Sequence, residues 1–298
     1  GSEMCIRDRQ WVDYYTDGGK AERSELNKND LFPSLNMKYQ MNEKNSLRFA
    51  FSRTVTRPSF IEMAPFLYQE SYGSAQIRGN ADLQNGYNYN IDLRYELFEK
   101  NADMLSITAY YKHLKAPIER VQTLSGGSAV HSFRNADNGM ATGVEIEFRK
   151  EIVKDLRFGV NGSYMYTNVK LPEGGAYTNS QRALQGASPY LANADLTYSP
   201  AFSNDRQLSV ALLYNLQGPR IHSVGISGLG DIKQQPVHTL NFTGSYRFNR
   251  RFAVKLQVND LLNQDILFKQ EVPTTGDKVE VERFRKGTGF EVGFSYDL

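Results

Sequence analysis

Residues 88–97 read NYNIDLRYEL, and every second position is apolar. The apolar positions are odd-numbered, while Asn, Asp, Arg or Glu fills the positions between them. Successive side chains of a β-strand point to opposite faces of a sheet, so this spacing predicts a strand with one apolar and one polar face. Residues 143–149, GVEIEFR, alternate in the same way. The two segments indicate a sheet whose faces differ sharply in polarity.

The same alternation continues along most of the chain. We count eleven such segments, most of them about ten residues long, the length at which a tilted strand crosses a bilayer. They begin near residues 31, 46, 87, 103, 139, 156, 189, 207, 237, 252 and 288. The sequence therefore predicts an all-β protein of eleven antiparallel strands.

The connections alternate between short turns and long polar loops. Short turns are expected at residues 42–45, 99–102, 151–155, 200–205 and 249–251. Long loops are expected at residues 57–86, 122–138, 170–188, 218–236 and 263–287. Outer-membrane barrels have short periplasmic turns and longer outer loops. This sorting favours an up-and-down transmembrane β-barrel over a soluble β-sandwich.

The polar face is too highly charged for a dry core. Burying unpaired charges there would cost several kcal/mol each. The positions that we assign to the outward face carry no Asp, Glu, Lys or Arg, as expected where a lipid-facing Arg or Lys costs about 2–4 kcal/mol. We therefore expect the charged residues to face a water-filled or plug-filled lumen: Asp92, Arg94, Glu96, Glu145, Glu147, Arg149, Arg247 and Lys255.

Tyrosines lie near the ends of many segments. An amphipathic ring is favourable at the headgroup level of a membrane, so these side chains are expected to form aromatic girdles. The alternative is ordinary β-propensity. The residues are Tyr39, Tyr110, Tyr111, Tyr164, Tyr166, Tyr198, Tyr214 and Tyr246.

The composition of the 298 residues excludes several other classes. No run approaches the ~20 apolar residues of a transmembrane helix. The net charge is +2, without a basic stripe for nucleic acid. The single cysteine, Cys5, excludes a disulfide framework and a multi-cysteine metal site. Because no catalytic motif and no histidine pair at metal-ligand spacing occurs, we expect no enzyme activity, metal or cofactor.

Residues 1–10 fit no later pattern and hold no apolar stretch of an export signal. We expect them to be a remnant of cloning or sequence assembly, and the structural domain to cover residues 11–298.

Several motifs resemble those of TonB-dependent outer-membrane receptors. Residues 51–66, FSRTVTRPSFIEMAPF, resemble that family's strand-to-loop signature. Residues 79–84, GNADLQ, resemble its GNPDLKPE element, with Ala81 in place of proline. Residues 135–147 resemble the strand that begins N-x-G and continues G-x-E, and residues 258–264 resemble the NLLN element of the penultimate strand. The chain is similar to the C-terminal half of the barrel, particularly in receptors of Bacteroidetes-like bacteria.

The resemblance implies a barrel of about 22 strands closed around an N-terminal plug domain, of which this chain supplies half and lacks the plug. It also implies energy-coupled uptake through the bacterial outer membrane of a scarce, bulky ligand: a siderophore, haem, cobalamin, a glycan or a peptide. The implied partners are outer-membrane lipid, the plug, the TonB–ExbB–ExbD system and an unknown small ligand, with no nucleic acid. The alternatives are a passive porin-like barrel and a secreted soluble β-domain for adhesion or carbohydrate binding.

Seven residues in the expected outer loops are candidate ligand contacts. Aromatic loop side chains can grip a ligand, and Arg220 with His222 can bind an anionic siderophore or a haem edge. The alternatives are packing between loops, strand termination at Pro58, and solvated surface. The candidates are Arg57, Phe66, Tyr68, Tyr72, Tyr177, Arg220 and His222. Residues 225–230, GISGLG, are expected to form a flexible loop rather than a phosphate-binding turn.

Overall fold

The computed structural model describes residues 4–15, 19–69, 76–99, 103–125, 128–173, 177–202, 205–226 and 228–296. Those residues form 22 strands and one short helix, α1 (Phe60–Met63). The strands are β1 (Met4–Tyr15), β2 (Ala21–Phe32), β3 (Ser34–Gln40), β4 (Asn45–Thr56), β5 (Leu67–Tyr68), β6 (Ile77–Arg78), β7 (Gly86–Phe98), β8 (Met104–Lys115), β9 (Ile118–Ser125), β10 (Ser128–Asn135), β11 (Asn138–Val153), β12 (Leu156–Lys170), β13 (Gln181–Arg182), β14 (Tyr190–Tyr198), β15 (Gln207–Gln217), β16 (Arg220–Ser223), β17 (Ile232–Gln234), β18 (Val237–Arg247), β19 (Phe252–Asn259), β20 (Ile266–Val272), β21 (Asp277–Phe284) and β22 (Gly289–Tyr296).

One large antiparallel sheet dominates the molecule. Eleven of its twelve strands follow the order β22-β19-β18-β15-β14-β12-β11-β8-β7-β4-β3, and β13 pairs with β12 beside this path. Each of the eleven segments expected from the sequence corresponds to one strand of the path, so the predicted fold class is confirmed. Within the described residues, β3 and β22 form the two edges of the sheet.

The register keeps the two faces of the sheet separate. Leu93 on β7 lies opposite Phe49 on β4 and Ala109 on β8. The next residue, Arg94, lies opposite Arg48 and Thr108. Since neither ladder contains a bulge, each residue stays on its face along the full length of the strands, and apolar residues mostly meet apolar ones. We refer to these surfaces as the apolar face and the polar face.

The apolar face is not a protein core. Leu93, Ile146 and Leu212 on this face are 47%, 49% and 41% exposed. In a soluble sandwich such residues would pack against a second sheet. The exposure of these side chains over so large a sheet indicates that an apolar environment other than protein covers this face.

Arg53 contradicts the expectation that the outward positions carry no charge, as do Lys115 and Lys150 near the ends of β8 and β11. Arg53 lies opposite Tyr89 and therefore on the apolar face, near the end of β4. Its guanidinium lies 4.5 Å from the ring centroid of Tyr87 and 3.2 Å from Asp30 Oδ1. The charge is tolerated because it is paired and stacked at the loop end of the sheet.

Tyr110 contradicts the expected girdle. It lies opposite Asp92 and Gly143, both on the polar face. A Cβ atom on Gly143 would lie only 2.6 Å from the Tyr110 hydroxyl, so the glycine leaves room for this ring. The other seven tyrosines of the expected girdle lie on the apolar face.

The short turns use local side-chain caps. The side-chain oxygens of Asn42 and Asn249 each accept hydrogen bonds from the backbone amides two and three residues ahead, all at 2.9 Å. Asp155, in the turn between β11 and β12, has a φ of 65°. Asn and Asp tolerate or support such tight turns, so these residues explain why the chain reverses there.

The long loops are more ordered than expected. They form two further sheets, loop sheet A (β5, β6, β10 and β9) and loop sheet B (β16, β17, β20 and β21). Within the segment expected to be flexible, the amide of Gly225 donates to Asp231 Oδ1 at 2.8 Å. The described residues of this loop thus include a hydrogen-bonded turn, and the flexibility of the segment stays a prediction.

A hairpin of β1 and β2 precedes the large sheet. The two strands pair over their full length, and β2 is separated from β3 only by Pro33. Residues 4–10 lie in β1, but pairing does not reveal their origin, and the expectation that residues 1–10 are a remnant stays a prediction. No helix in the described ranges is long and apolar enough to cross a membrane.

Candidate functional site

The polar face carries a network of paired charges centred on Glu96, which is 5% exposed. Its carboxylate accepts hydrogen bonds from Arg48 Nε at 2.7 Å, Arg94 Nε at 2.9 Å and Ser46 Oγ at 3.0 Å. Arg94 Nη2 also lies 3.6 Å from Glu147 Oε2. With three donors around it, the buried carboxylate does not carry the cost of an unpaired charge.

The remaining charged residues expected to face a lumen share this face. Arg149 donates to Glu147 at 2.5 Å. Asp92 lies opposite Ala50, and Glu145 lies opposite Thr108. Arg247 and Lys255 are on the same face at the other end of the sheet, on β18 and β19. The eight residues therefore lie on one surface, and the role of this surface as a lumen wall stays a prediction.

Shallow clefts follow this polar surface. One, of about 340 Å³, brings Arg94 and Glu145 together with Asn161 and Asn193 of the neighbouring strands. Asn193 Nδ2 donates to Asn161 Oδ1 at 2.8 Å. Such a surface offers hydrogen-bond donors and acceptors to water or to a polar protein segment. It offers no nucleophile activated by a base, because no histidine, cysteine or serine–histidine pair lies among these residues.

Two motifs that suggested the family resemblance contact each other at the loop end of the sheet. Asn135 Oδ1 accepts the amide of Gln84 at 2.8 Å, and Asn135 Nδ2 donates to the carbonyl of Gln84 at 2.9 Å. Asn80 Nδ2 donates to the carbonyl of Phe133 at 2.9 Å, and the Asn80 amide donates to the carbonyl of Glu62 in α1. These side chains connect the first long loop to the second, which gives the motifs a structural role.

The first group of candidate ligand contacts lies at loop sheet A. Arg57 is exposed at the end of β4. Phe66 is 56% exposed, and its ring meets that of Tyr68 edge to face at a centroid distance of 6.2 Å. Tyr72 lies outside the described residues. The structure thus brings Phe66 and Tyr68 together at an accessible position, and ligand contact there stays a prediction.

Tyr177 has a different environment from the one expected. It packs against a buried apolar cluster that includes Val169 and Leu171, and its hydroxyl is buried without a hydrogen-bond partner among the described residues. Its backbone bridges to Ile226 of the next loop. Because this ring helps to form the core of the loop layer, packing between loops describes it better than a ligand contact does.

Arg220 and His222 lie together on β16 in loop sheet B. Arg220 Nε donates to Gln234 Oε1 at 2.7 Å. The His222 ring meets the buried Phe268 ring edge to face at 4.7 Å between centroids. Both side chains therefore already contact residues of loop sheet B, and anion binding by them stays a prediction.

An ion pair buried in the loop layer was not expected from the sequence. Arg182 Nη2 of β13 lies 2.9 Å from Glu119 Oε2 of β9, and the side chains are only 3% and 6% exposed. These two atoms are not aligned for a hydrogen bond with each other or with another described residue. Burial raises the pKa of the Glu119 carboxyl, although the Arg182 charge acts against this shift. The pair connects two loops that are distant in sequence.

Around the exposed β20–β21 hairpin the pKa values of carboxyl groups are lowered, in contrast to the raised pKa of Glu119. The hydrogen bond from Arg285 lowers the pKa of Asp265, and the hydrogen bond from Arg283 lowers the pKa of Glu280. Arg283 Nη2 lies 2.7 Å from Glu280 Oε2. These carboxylates stay ionised and are already engaged by arginines.

A larger cleft beside loop sheet B was also missed from the sequence. It has a volume of about 640 Å³ and contains Lys233, Lys269 and Lys278 on one wall. The sequence contains part of the signal, because charged and apolar residues alternate in β21. However, this short strand lies in a segment that we expected to be a loop. Among the described residues, no group of three or more His, Cys, Asp or Glu side chains could hold a metal ion.

Comparison with known proteins identifies the family. The description "Outer membrane protein beta-barrel family" matches residues 12–296, almost the entire chain. The chain belongs to this outer-membrane β-barrel family. Its place is therefore the bacterial outer membrane, and the exposed apolar face of the large sheet is the surface that meets lipid.

Several siderophore receptors are similar to the chain. The ferric enterobactin receptor of Pseudomonas aeruginosa is 21% identical over 270 residues, which cover 84% of this chain and 35% of the receptor. A solved structure of that receptor with enterobactin superimposes with a TM-score of 0.64 and 19% identity, over 97% of this chain and 43% of the receptor. The ferric yersiniabactin uptake receptor of Yersinia pestis gives a TM-score of 0.65 and 14% identity, over 97% and 41%. The chain thus spans about two fifths of these receptors or less, and the likeness shows a shared barrel fold.

Proposed function

We propose that this chain is the C-terminal part of the barrel of a TonB-dependent receptor that carries a ferric siderophore through the outer membrane. The observation that carries the proposal is the superposition of 97% of the chain on receptors for ferric enterobactin and ferric yersiniabactin. Haem, cobalamin, glycans and peptides are the other bulky ligands that the family resemblance allows. The Bacteroidetes-like origin stays a prediction.

The polar face suits the wall of a transport path. Several of its charges are paired with one another, as in the network around Glu96, and so they can stay ionised next to water. The clefts between Arg94, Glu145 and Asn193 offer polar contacts to a plug domain seated against the wall. In this proposal residues 11–298 form the barrel half, and the plug is a partner supplied outside this segment.

The loop layer suits capture of the ligand. Loop sheets A and B lie where the long connections leave the large sheet, and a buried apolar cluster that includes Val121 of β9 packs between loop sheet A and the end of β12. Exposed aromatic residues such as Phe66 then meet the ligand before it reaches the plug. The TonB–ExbB–ExbD system supplies the energy that moves the plug, and the residues of this chain scaffold and gate without catalysing a reaction.

The proposal is tested by iron uptake in cells. The native gene product is expressed in a strain without its own siderophore receptors, and uptake of iron-55 supplied as ferric enterobactin is measured with and without a functional TonB. The expected result is saturable uptake that is lost in the TonB-deficient strain. No uptake of any ferric siderophore, with the protein present in the outer membrane, would refute the siderophore assignment.

The passive porin-like barrel is the second candidate. It is favoured by the same polar wall, because a water-filled lumen needs no plug. The experiment separates the two functions: diffusion through an open pore is independent of TonB and does not saturate at low ligand concentration.

A further inference from the structure

Three lysines line one wall of the cleft beside loop sheet B, which we call the lysine cleft. Lys233 lies on β17, Lys269 on β20 and Lys278 on β21, and the cleft has a volume of about 640 Å³. Thr178 and Asn179 reach it from the preceding long loop. Backbone from two chain segments therefore encloses a volume in the range of small-molecule sites.

Without a bound anion, the arrangement of the three lysines lowers the stability of loop sheet B. Lys233 lies directly opposite Lys269 in the antiparallel ladder of β17 and β20. Like charges at directly opposed positions of a sheet repel each other. None of the three ammonium groups forms an ion pair with a carboxylate in the described part of the chain. A bound anion would remove this repulsion.

The carboxylates near the cleft leave the positive charge in excess. Asp231 is buried and accepts the amide of Gly225 at 2.8 Å. Glu280, which lies opposite Lys269, is engaged by Arg283. Glu271 lies opposite Lys278 and is the second carboxylate on the lining. On the lining itself three lysines therefore face two carboxylates, and Glu280 beside them interacts with both Arg283 and Lys269.

We propose that the lysine cleft binds a bulky anionic ligand through negatively charged oxygen atoms, such as those of catecholate, carboxylate or phosphate groups. Thr178 and Asn179 on the lining add neutral polar groups, and the Thr178 hydroxyl also donates to the carbonyl of Leu229 at 2.7 Å. Pro219, Pro236 and Pro273 on the lining restrict the backbone, so less conformational entropy is lost on binding. As a capture site for the transported ligand, the cleft rests on the proposed function.

The cleft is separate from the pair Arg220 and His222. Gln234 and Phe268, which these side chains contact, are one residue away in sequence from Lys233 and Lys269. Adjacent residues of a strand point to opposite faces, so the lysines are on the other side of loop sheet B. Substitution of the lysines therefore leaves the contacts of Arg220 and His222 in place.

The test uses the native gene product, purified from outer membranes in detergent, and a triple variant with Lys233→Gln, Lys269→Gln and Lys278→Gln. Lys286→Gln, at an exposed position outside the cleft, is the matched control. Equilibrium dialysis measures the Kd of ferric enterobactin, an anionic complex, and of ferrichrome, a ferric complex without net charge. We expect the triple variant to bind ferric enterobactin at least ~10-fold more weakly, since charge-assisted hydrogen bonds are lost. Ferrichrome binding and the control variant should not change.

Further measurements exclude loss of folding and identify the source of the anion. Heat-modifiable migration on gels reports a folded barrel for every variant, and a triple Lys→Arg variant should keep the affinity of the parent. Competition by purified lipopolysaccharide that is lost in the triple Gln variant would also support the cleft, with a lipid phosphate as the ligand. Parent protein that binds neither ferric enterobactin nor lipopolysaccharide overturns the proposal.

The outcomes distinguish this inference from the proposed function. If the triple Gln variant binds ferric enterobactin as tightly as the parent while TonB-dependent uptake persists, the cleft is refuted and the uptake function stands. If no ferric complex is taken up but lysine-dependent anion binding is measured, the uptake function fails and the cleft stands.

Discussion

Substitution of Arg182 by methionine should loosen the loop layer without unfolding the large sheet. Arg182 pairs with Glu119 at 2.9 Å, with both side chains almost fully buried. The pair joins β9 of the second long loop to β13 of the third. Methionine keeps most of the aliphatic volume of arginine and removes the charge, so the change tests the ion pair rather than the packing.

The expected loss of stability follows from the buried charge that remains when its partner is removed. Removal of one partner of a buried ion pair costs about 3–5 kcal/mol, because the other charge stays buried without compensation. The value should lie near the lower limit here, since the two closest atoms lack hydrogen-bond alignment and the buried Glu119 can take up a proton. About 3 kcal/mol corresponds to a roughly 100-fold increase in local opening. A double variant, Glu119→Gln with Arg182→Met, should recover most of the loss, because no uncompensated charge remains.

Hydrogen exchange with mass spectrometry measures the effect. We expect faster exchange of the amides in residues 118–125 and 167–184, and unchanged exchange in residues 88–98 of the large sheet. Arg283→Met removes an exposed ion pair with Glu280 and serves as the matched control, with little expected effect. If Arg182→Met changed exchange in residues 118–125 less than about threefold, the reasoning on buried charge would be refuted.

Three further predictions concern lipid contact, loop connection and pH. Leu93→Arg on the apolar face should cost about 2–4 kcal/mol and lower the amount of folded barrel in heat-modifiability gels, whereas Asn161→Arg on the polar face should be tolerated. Asn135→Ala removes three hydrogen bonds and should cost about 2 kcal/mol, seen as faster exchange near residue 84. Because the pKa of Glu119 is raised in the folded state, its contribution to loop-layer stability is fully present below the ordinary glutamate pKa and is lost as pH rises through the folded pKa. Glu119→Gln should remove this part of the pH dependence of exchange.

Each of these predictions has a clear contrary result. Equal folding yields for the two arginine variants would contradict the assignment of the faces. Unchanged exchange in the Asn135 variant would mean that the two loop motifs are held together by other contacts. A loop layer that becomes more stable as pH rises from about 4.5 to 7, beyond the control variant, would reverse the sign worked out for Glu119.

The large sheet could be predicted because its signal is local. In a segment such as residues 88–97, side-chain alternation requires only that neighbours point in opposite directions, and no knowledge of the partner strand is needed. The exceptions have non-local causes. Arg53 is placed on the apolar face because Asp30 and Tyr87, distant in sequence, pair with it. Tyr110 is on the polar face although aromatic residues usually suit a membrane boundary.

The loop layer could not be predicted for the same physical reason. Its strands are as short as two residues, too short for a period to be recognised, and they pair with strands of other loops. Glu119 and Arg182 are 63 positions apart, and only the fold brings them together. The candidate site is limited in the same way. Aromatic loop residues were found by type, but the packing of Tyr177 against the buried cluster depends on the fold, and the lysine cleft depends on the register between β17 and β20.

The distribution of buried side chains divides the molecule into two parts that are stabilised differently. The large sheet is held by its hydrogen-bond ladders and by lipid on the apolar face, and it needs no protein core on that side. The loop layer has its own apolar cluster of Val121, Ala136, Val169 and Leu171, together with the buried ion pair. The two parts meet at Val169 of β12 and at β13, which pairs with β12. A substitution away from this junction, in β9 or β10, is therefore the kind expected to alter ligand capture while the barrel stays folded in the membrane. Loss of uptake in such a variant, with the barrel folded, can be assigned to the loops themselves.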